Sequence, residues 1–281
     1  MGNLGEKQRK ALISLLADDD PGVYQTVRQK IISCGPVATE WLKEFRLSGD
    51  FVLRRRVYEI LDHFGRQTAD TRFLAFCLNQ GEDFDLEQSA LLLAQTQYPD
   101  INAEAYRALL DEFAGELRER LDLNGNPATI LGVINDYLFR ELEFSGDGKD
   151  YYNPENSYLN KVLDKRKGNR NSLSLIYLLL ARRLRLPMAG IGLPGHFLCR
   201  YQSATREIFV DAFHHGKLLT KTDCVRLVMQ WRQSFEESCL APVSARRILL
   251  RICADLHQIY TQIKSPAQAG RLQRYLVALA K

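Results

Sequence analysis

The stretch that decides the fold is Gly168-Asn169-Arg170-Asn171-Ser172-Leu173-Ser174-Leu175, followed by Pro194-Gly195-His196-Phe197 and then by Ile208-Phe209-Val210-Asp211. From Ser172 to Leu186 the apolar residues are dense enough for a helix buried on most sides. Ala189–Tyr201 and Arg206–Leu219 read as strands, with Gln202-Ser203-Ala204-Thr205 as a polar hairpin turn between them. With that turn centred between Ser203 and Ala204, His196 faces Asp211, Leu198 faces Phe209 and Arg200 faces Glu207. Each pair is chemically sensible, and directly opposed side chains on one face lie roughly 4.5–5.5 Å apart at Cβ. Asp211 is thereby expected to hold His196 in one tautomer. A slip of one residue would separate them.

Outward from this stretch, the chain reads as mainly helical. Helices are expected at Lys7–Leu16, at Val23–Ile32 behind an Asp20 cap and Pro21, and around Val37, Trp41 and Leu42. Another is expected at Phe51–Phe64, with Gly65 as its stop, then at Thr71–Gln80, Leu86–Gln95 and Ala103–Leu121. The first two capped units suggest a degenerate helical-hairpin repeat of the HEAT type. Asn124-Gly125-Asn126-Pro127 is a strong punctuation mark. Beyond it come helices at Ala128–Leu142 and Tyr158–Lys165, the helix-and-strand stretch, and helices at Thr222–Trp231, Ser244–Ile263 and Pro266–Leu279. The expected fold class is α+β, mainly helical: a helical region over residues 1–122, a core with a small antiparallel sheet over 123–240, and C-terminal helices over 241–281.

Composition narrows the function classes. The chain has 281 residues, 46% hydrophobic and 26% charged, with a net charge of +4 spread along its length. No run of Lys and Arg interleaves with stacking aromatics, so nucleic acid is not an expected partner. Lys165-Arg166-Lys167 sits at a helix C-terminus, where cations complement exposed carbonyls. The longest uncharged apolar run, Leu173–Ala181, is too short for a bilayer, and the polar opening after Met1 argues against a signal peptide. Six dispersed cysteines without a Cys-x-x-Cys pair read as reduced core residues of a cytoplasmic protein. His196, Asp211, His214 and His215 could be weighed as a metal set, but adjacent histidines on a strand diverge to opposite faces, so no metal and no cofactor is expected.

Taken in order, the Gly168–Leu175 motif, Leu186-Pro187, Gly192-Leu193-Pro194-Gly195-His196-Phe197-Leu198 and Val210-Asp211-Ala212-Phe213 with Gly216 and Leu218-Leu219 resemble the transglutaminase-like superfamily. More narrowly they resemble its bacterial branch named after the SirB-type invasion regulators, as does Asp150-Tyr151-Tyr152-Asn153-Pro154-Glu155-Asn156-Ser157-Tyr158-Leu159. The resemblance covers about residues 128–225. It implies a papain-like core, preceding helices, and a shortened tetratricopeptide-like tail. It also implies a site: in active members a cysteine at the N-terminus of the central helix is activated by the histidine, which the aspartate orients. His196 and Asp211 match those two positions. Counting back from Leu186-Pro187 at the usual spacing reaches Arg170, and a two-residue gap reaches Ser172; neither is cysteine. Cys199 alternates to the face opposite His196, and Cys224 lies beyond the hairpin.

Three functions follow as expectations. In the first the chain is a binding or regulatory module without thiol chemistry, with Arg170 and Asn171 offering a site to a small acidic ligand or a protein partner. In the second Ser172 is the nucleophile of a hydrolase or acyltransferase, with His196 as base and Asp211 as orienter. The competing reading makes Ser172, with Asn171, an N-cap. In the third the helices form an interaction scaffold and the cleft is vestigial.

Overall fold

The computed structural model describes residues 4–230 and 234–281, so Trp231, the end of the expected Thr222–Trp231 helix, lies outside the described residues. The fold is α+β and mainly helical. Twelve α-helices among the described residues accompany a four-stranded antiparallel sheet and a two-stranded parallel pair. The chain divides into two compact units.

The first unit runs up to Arg72 and includes Gln95–Asp100. It is built from α1 (Glu6–Leu15), α2 (Pro21–Ser33), α3 (Ala38–Leu42) and most of α4 (Phe51–Asn79). Asp20 caps α2 as expected, its carboxylate accepting from the Gly22 N–H at 2.7 Å ahead of Pro21. Ile13, Leu16, Val27, Ile31, Leu42, Val57 and Ile60 form the core. One expectation fails here. Gly65 does not stop a helix: α4 runs through it for 29 residues and absorbs the separate Thr71–Gln80 helix. The glycine serves close approach instead, since a Cβ there would lie 2.9 Å from the Pro99 side chain. The second hairpin of the expected repeat therefore does not form.

The second unit holds Phe73–Ala94 and everything from Ile101. Besides most of α5 (Leu86–Gln97), it contains α6 (Ala103–Arg120), which the sequence reading grouped with the N-terminal region. Next come α7 (Pro127–Asn135), with a π-helical extension over Asp136–Glu141, then β1 (Ser145–Gly146), α8 (Leu159–Lys165) and β2 (Lys167–Gly168). Ser145–Gly146 forms a strand because β1 pairs in parallel with β2. Arg166 adopts a left-handed conformation as it ends α8. Its guanidinium lies over Phe113 and Phe144 at 4.8 and 4.7 Å, so this cation covers aromatic rings as well as a helix end.

The central helix α9 (Arg170–Arg183) begins two residues before the expected start. It packs against β3 (Met188–Leu193) and β4 (His196–Gln202), and β5 (Glu207–Asp211) and β6 (Lys217–Leu219) follow them in that order in the sheet. The long first strand read from sequence is really a hairpin, turned at Pro194-Gly195, where Gly195 has φ +65°. The β4–β5 turn is centred one residue later than expected, so Arg200 faces Phe209 and Gln202 faces Glu207. The register thus differs by two residues. Because side chains alternate with a period of two, every residue keeps its expected face. α10 (Lys221–Met229), α11 (Ala245–Gln262) and α12 (Pro266–Leu279) complete the unit, with Ser244 capping α11.

Candidate functional site

Three segments converge at the N-terminal tip of α9. The first is the irregular Tyr151–Ser157 stretch. Asn156 is buried, its amide donating to the Asp150 carbonyl at 2.7 Å, while its own carbonyl accepts from the Asn169 N–H at 3.1 Å. Asn169, not Asn171 or Ser172, is the N-cap. Its Oδ1 accepts from the Ser172 N–H at 3.0 Å, and Ser172 Oγ returns the favour by accepting from the Asn169 N–H at 3.0 Å. The Ser172 hydroxyl donates to the Asn156 carbonyl at 2.6 Å and is fully buried. Gly168 lets this corner close, because a Cβ there would meet Ser172 Oγ at 2.6 Å. The nucleophile assignment for Ser172 therefore needs correction. Its hydroxyl donates to the Asn156 and Asn169 carbonyls, and His196 is not among its partners.

The second segment is the β4–β5 hairpin with the turn that follows. His196 and Asp211 meet as expected, Nε2 to Oδ2 at 2.7 Å, although they are diagonal rather than directly opposed in the register. Both are buried. A third group joins them that the sequence reading did not place. Residues 212–214 leave the strand as a 3-10 turn capped by Asp211, whose Oδ1 accepts from the His214 N–H at 3.2 Å. The turn swings His214 back so that its Nδ1 lies 2.8 Å from Asp211 Oδ2. His215, in a left-handed conformation, instead sets its ring edge-on to Phe139. The argument against metal ligation rested on strand geometry for these two histidines, and that geometry is not what forms. A signal was legible: Asp-x-x-His is the spacing at which a capping aspartate meets the residue three positions on. Burial pushes the Asp211 carboxyl up, but the two imidazoles outweigh it and hold its pKa below the ordinary value.

Backbone clamps fix this arrangement. Asn135 on α7 donates to the Gly216 carbonyl at 2.6 Å and accepts from the Tyr177 hydroxyl of α9 at 3.0 Å. Gly216, at φ +70°, passes so close that a Cβ would lie 2.3 Å from Asn135. From the other side, Arg251 on α11 donates to the carbonyls of Leu193 and His196 at 2.9 and 2.8 Å.

The third segment links the two. Arg170, the first residue of α9, donates to the Gly195 carbonyl. Its guanidinium lies 5.4 Å from the ring centres of both Tyr151 and Phe213. Arg170 helps line a cleft of about 400 Å³ together with Tyr151, Tyr152, Asn171, Arg251 and Asp255. Asn171 is buried and spends its amide on Asp255 Oδ2 at 2.5 Å, so it positions that carboxyl. Burial raises the Asp255 pKa despite the pull of Arg251, Arg170 and Asn171. His196 and Asp211 do not line this cleft; Gly195 does. The expected single His/Asp cleft is thus two neighbouring features, a polar cluster and a cationic pocket, with Arg170 and Phe213 between them.

All six cysteines are free. Cys199 is buried with its thiol 3.5 Å from the Ser174 carbonyl, and burial pushes its pKa up to about 12. Cys224 is likewise raised to about 12 by burial.

The order of these parts, a helix tip facing a histidine and an aspartate on successive strands, agrees with a family match over residues 104–254. The chain belongs to the transglutaminase-like superfamily. Among similar proteins, a UPF0162 protein of Xylella fastidiosa is 34% identical over 68% of this chain and 70% of its own. A UPF0162 protein of Pseudomonas aeruginosa is 27% identical over 69% of this chain and 71% of its own. Human F-box only protein 21 is 36% identical over 45% of this chain but only 21% of its own length. No solved structure matches. No helix among the described residues is long and apolar enough to cross a membrane.

Proposed function

We propose that this protein is a binding module of the transglutaminase-like superfamily that recognises a carboxylate-bearing ligand in the α9 cleft and performs no thiol chemistry. The observation that carries the reading is Arg170 at the tip of α9, held between Tyr151 and Phe213 beside an open cleft. At the usual spacing back from Leu186-Pro187, the resemblance implies the superfamily's thiol at this position, with Ser172 as the position reached by a two-residue gap. A guanidinium there cannot attack a carbonyl, but it presents a planar fork suited to a carboxylate. The cleft carries two guanidiniums, Arg170 and Arg251, against one carboxyl, Asp255, whose charge burial disfavours. The start of α9 adds the positive end of a 14-residue helix.

Other features support the absence of catalysis. Ser172 is sealed in a capping box, and Cys199 turns to the Ser174 carbonyl. The SirB-type regulator branch, suggested by the Asp150–Leu159 motif, fits a regulatory role for such binding, and the six free cysteines fit a reducing cytoplasm.

The test is thermal shift and calorimetry of the purified chain with succinate, glutarate and a glutamate-terminated peptide. At least one should raise the melting temperature of the wild-type protein, and Arg170→Ala should abolish the rise. Equal shifts in both proteins would refute the role of Arg170. Turnover of a thioester or ester that is lost in Ser172→Ala would replace this reading with the hydrolase.

A further inference from the structure

The Asp211 cluster has a second capability that the carboxylate cleft does not use. We propose that His196, Asp211 and His214 form a binding site for one divalent transition-metal ion of the zinc class. One ligand atom from each of the three residues lies within 4.8 Å of the other two, and His196 Nε2 and His214 Nδ1 are the nitrogens that face Asp211 Oδ2, at 2.7 and 2.8 Å. Two imidazoles and a carboxylate are donors that suit zinc and its neighbours. Three protein ligands leave a fourth position open, which is the pattern of zinc sites that bind water or an exogenous group.

What distinguishes this cluster from a chance meeting of polar side chains is how each ligand is held. The Asp211 carboxylate divides its oxygens: Oδ1 accepts the His214 backbone N–H, and Oδ2 alone faces the two rings. His196 sits on β4 with its own carbonyl gripped by Arg251. The turn carrying His214 is pinned through Gly216 to Asn135. Such outer contacts orient ligands before a metal arrives. Access comes from one side, because the Asp211 side chain is 5% exposed and that of His214 is 58% exposed.

Without metal, an ionised carboxylate can only accept, so both ring nitrogens facing Oδ2 donate protons to it. On loading, the ion takes the place of those two bridging protons. Each metal-bound imidazole carries its proton on the other ring nitrogen, Nδ1 in His196 and Nε2 in His214. Metal–nitrogen bonds of about 2.0–2.1 Å place tetrahedral ligands about 3.3 Å apart. The rings, now 2.7 and 2.8 Å from Oδ2, therefore need to open by roughly half an ångström. His214 can make that adjustment because its ring is exposed.

Chelator-treated protein titrated with Co²⁺ and Zn²⁺ tests the proposal. The expected result is one equivalent bound by calorimetry, with the visible absorption of tetrahedral cobalt. His214→Ala removes the exposed ligand without opening the core and should weaken binding at least about tenfold. His215→Ala, outside the cluster, should bind as the wild type does. No binding, or equal affinity in the wild type and His214→Ala, would overturn the site, as would loss of binding in His215→Ala. Metal binding and the carboxylate-induced thermal shift are separate readouts, so either can fail without the other.

Discussion

The corner built on Ser172 and the corner built on Asp211 both pack against α9 and treat polar groups in opposite ways. At Ser172 the hydroxyl both donates and accepts, the Asn169 amide is used at both ends, and nothing meets solvent. At Asp211 one oxygen serves two imidazoles, one of them exposed. A closed network of short hydrogen bonds contributes rigidity and leaves no group for a ligand. An acceptor shared between a buried and an exposed ring can exchange partners. Ser172, the hydroxyl that the sequence offered as an alternative nucleophile, is the structural corner, whereas His214 is part of the adaptable one.

The largest effect expected from breaking this contrast is at the clamp. Gly216→Ala must fit a Cβ 2.3 Å from Asn135 at a left-handed φ, and should cost about 3 kcal/mol in urea unfolding. Ser172→Ala should cost about 1–3 kcal/mol, because it strips the capping box and leaves the Asn156 carbonyl without its hydroxyl donor. The carboxylate-induced thermal shift should survive that change. Arg170→Ala should do the reverse, losing the shift for about 1 kcal/mol of stability from its ring contacts.

The smallest effects are slopes of stability against pH, read from urea midpoints between roughly pH 2 and 6. Asp211 titrates lower in the folded chain, so its contribution is present above the ordinary carboxylate value and is lost as pH falls through the folded pKa. Asp211→Asn should flatten that acid limb. Asp255 titrates higher when folded, so its contribution is present at low pH and is lost as pH rises through its folded pKa. Asp255→Asn should remove that opposite slope. If both variants kept the wild-type profile, the electrostatic difference between the two corners would be wrong.

Much of the fold was legible because its signals are local. Asp20-Pro21, Asn126-Pro127, Ser244 and Pro266 marked helix starts that the structure shows. The meeting of His196 and Asp211 survived a wrong turn centre because the error was two residues, and alternation forgives even slips. What escaped depended on distant partners. Gly65 looks like a helix stop until Pro99 is beside it, and β1 and β2 exist only as each other's neighbour. Treating residues 212–215 as strand hid His214, because a capping aspartate redirected the backbone there.

The Asn135 clamp holds the backbone on which His214 sits, through the Gly216 carbonyl, and leaves the imidazole itself untouched. The exposed ring is thus a vane on a fixed post. Whatever reaches this face from outside meets an imidazole whose backbone is already fixed, so binding there has one side chain to order and no chain segment.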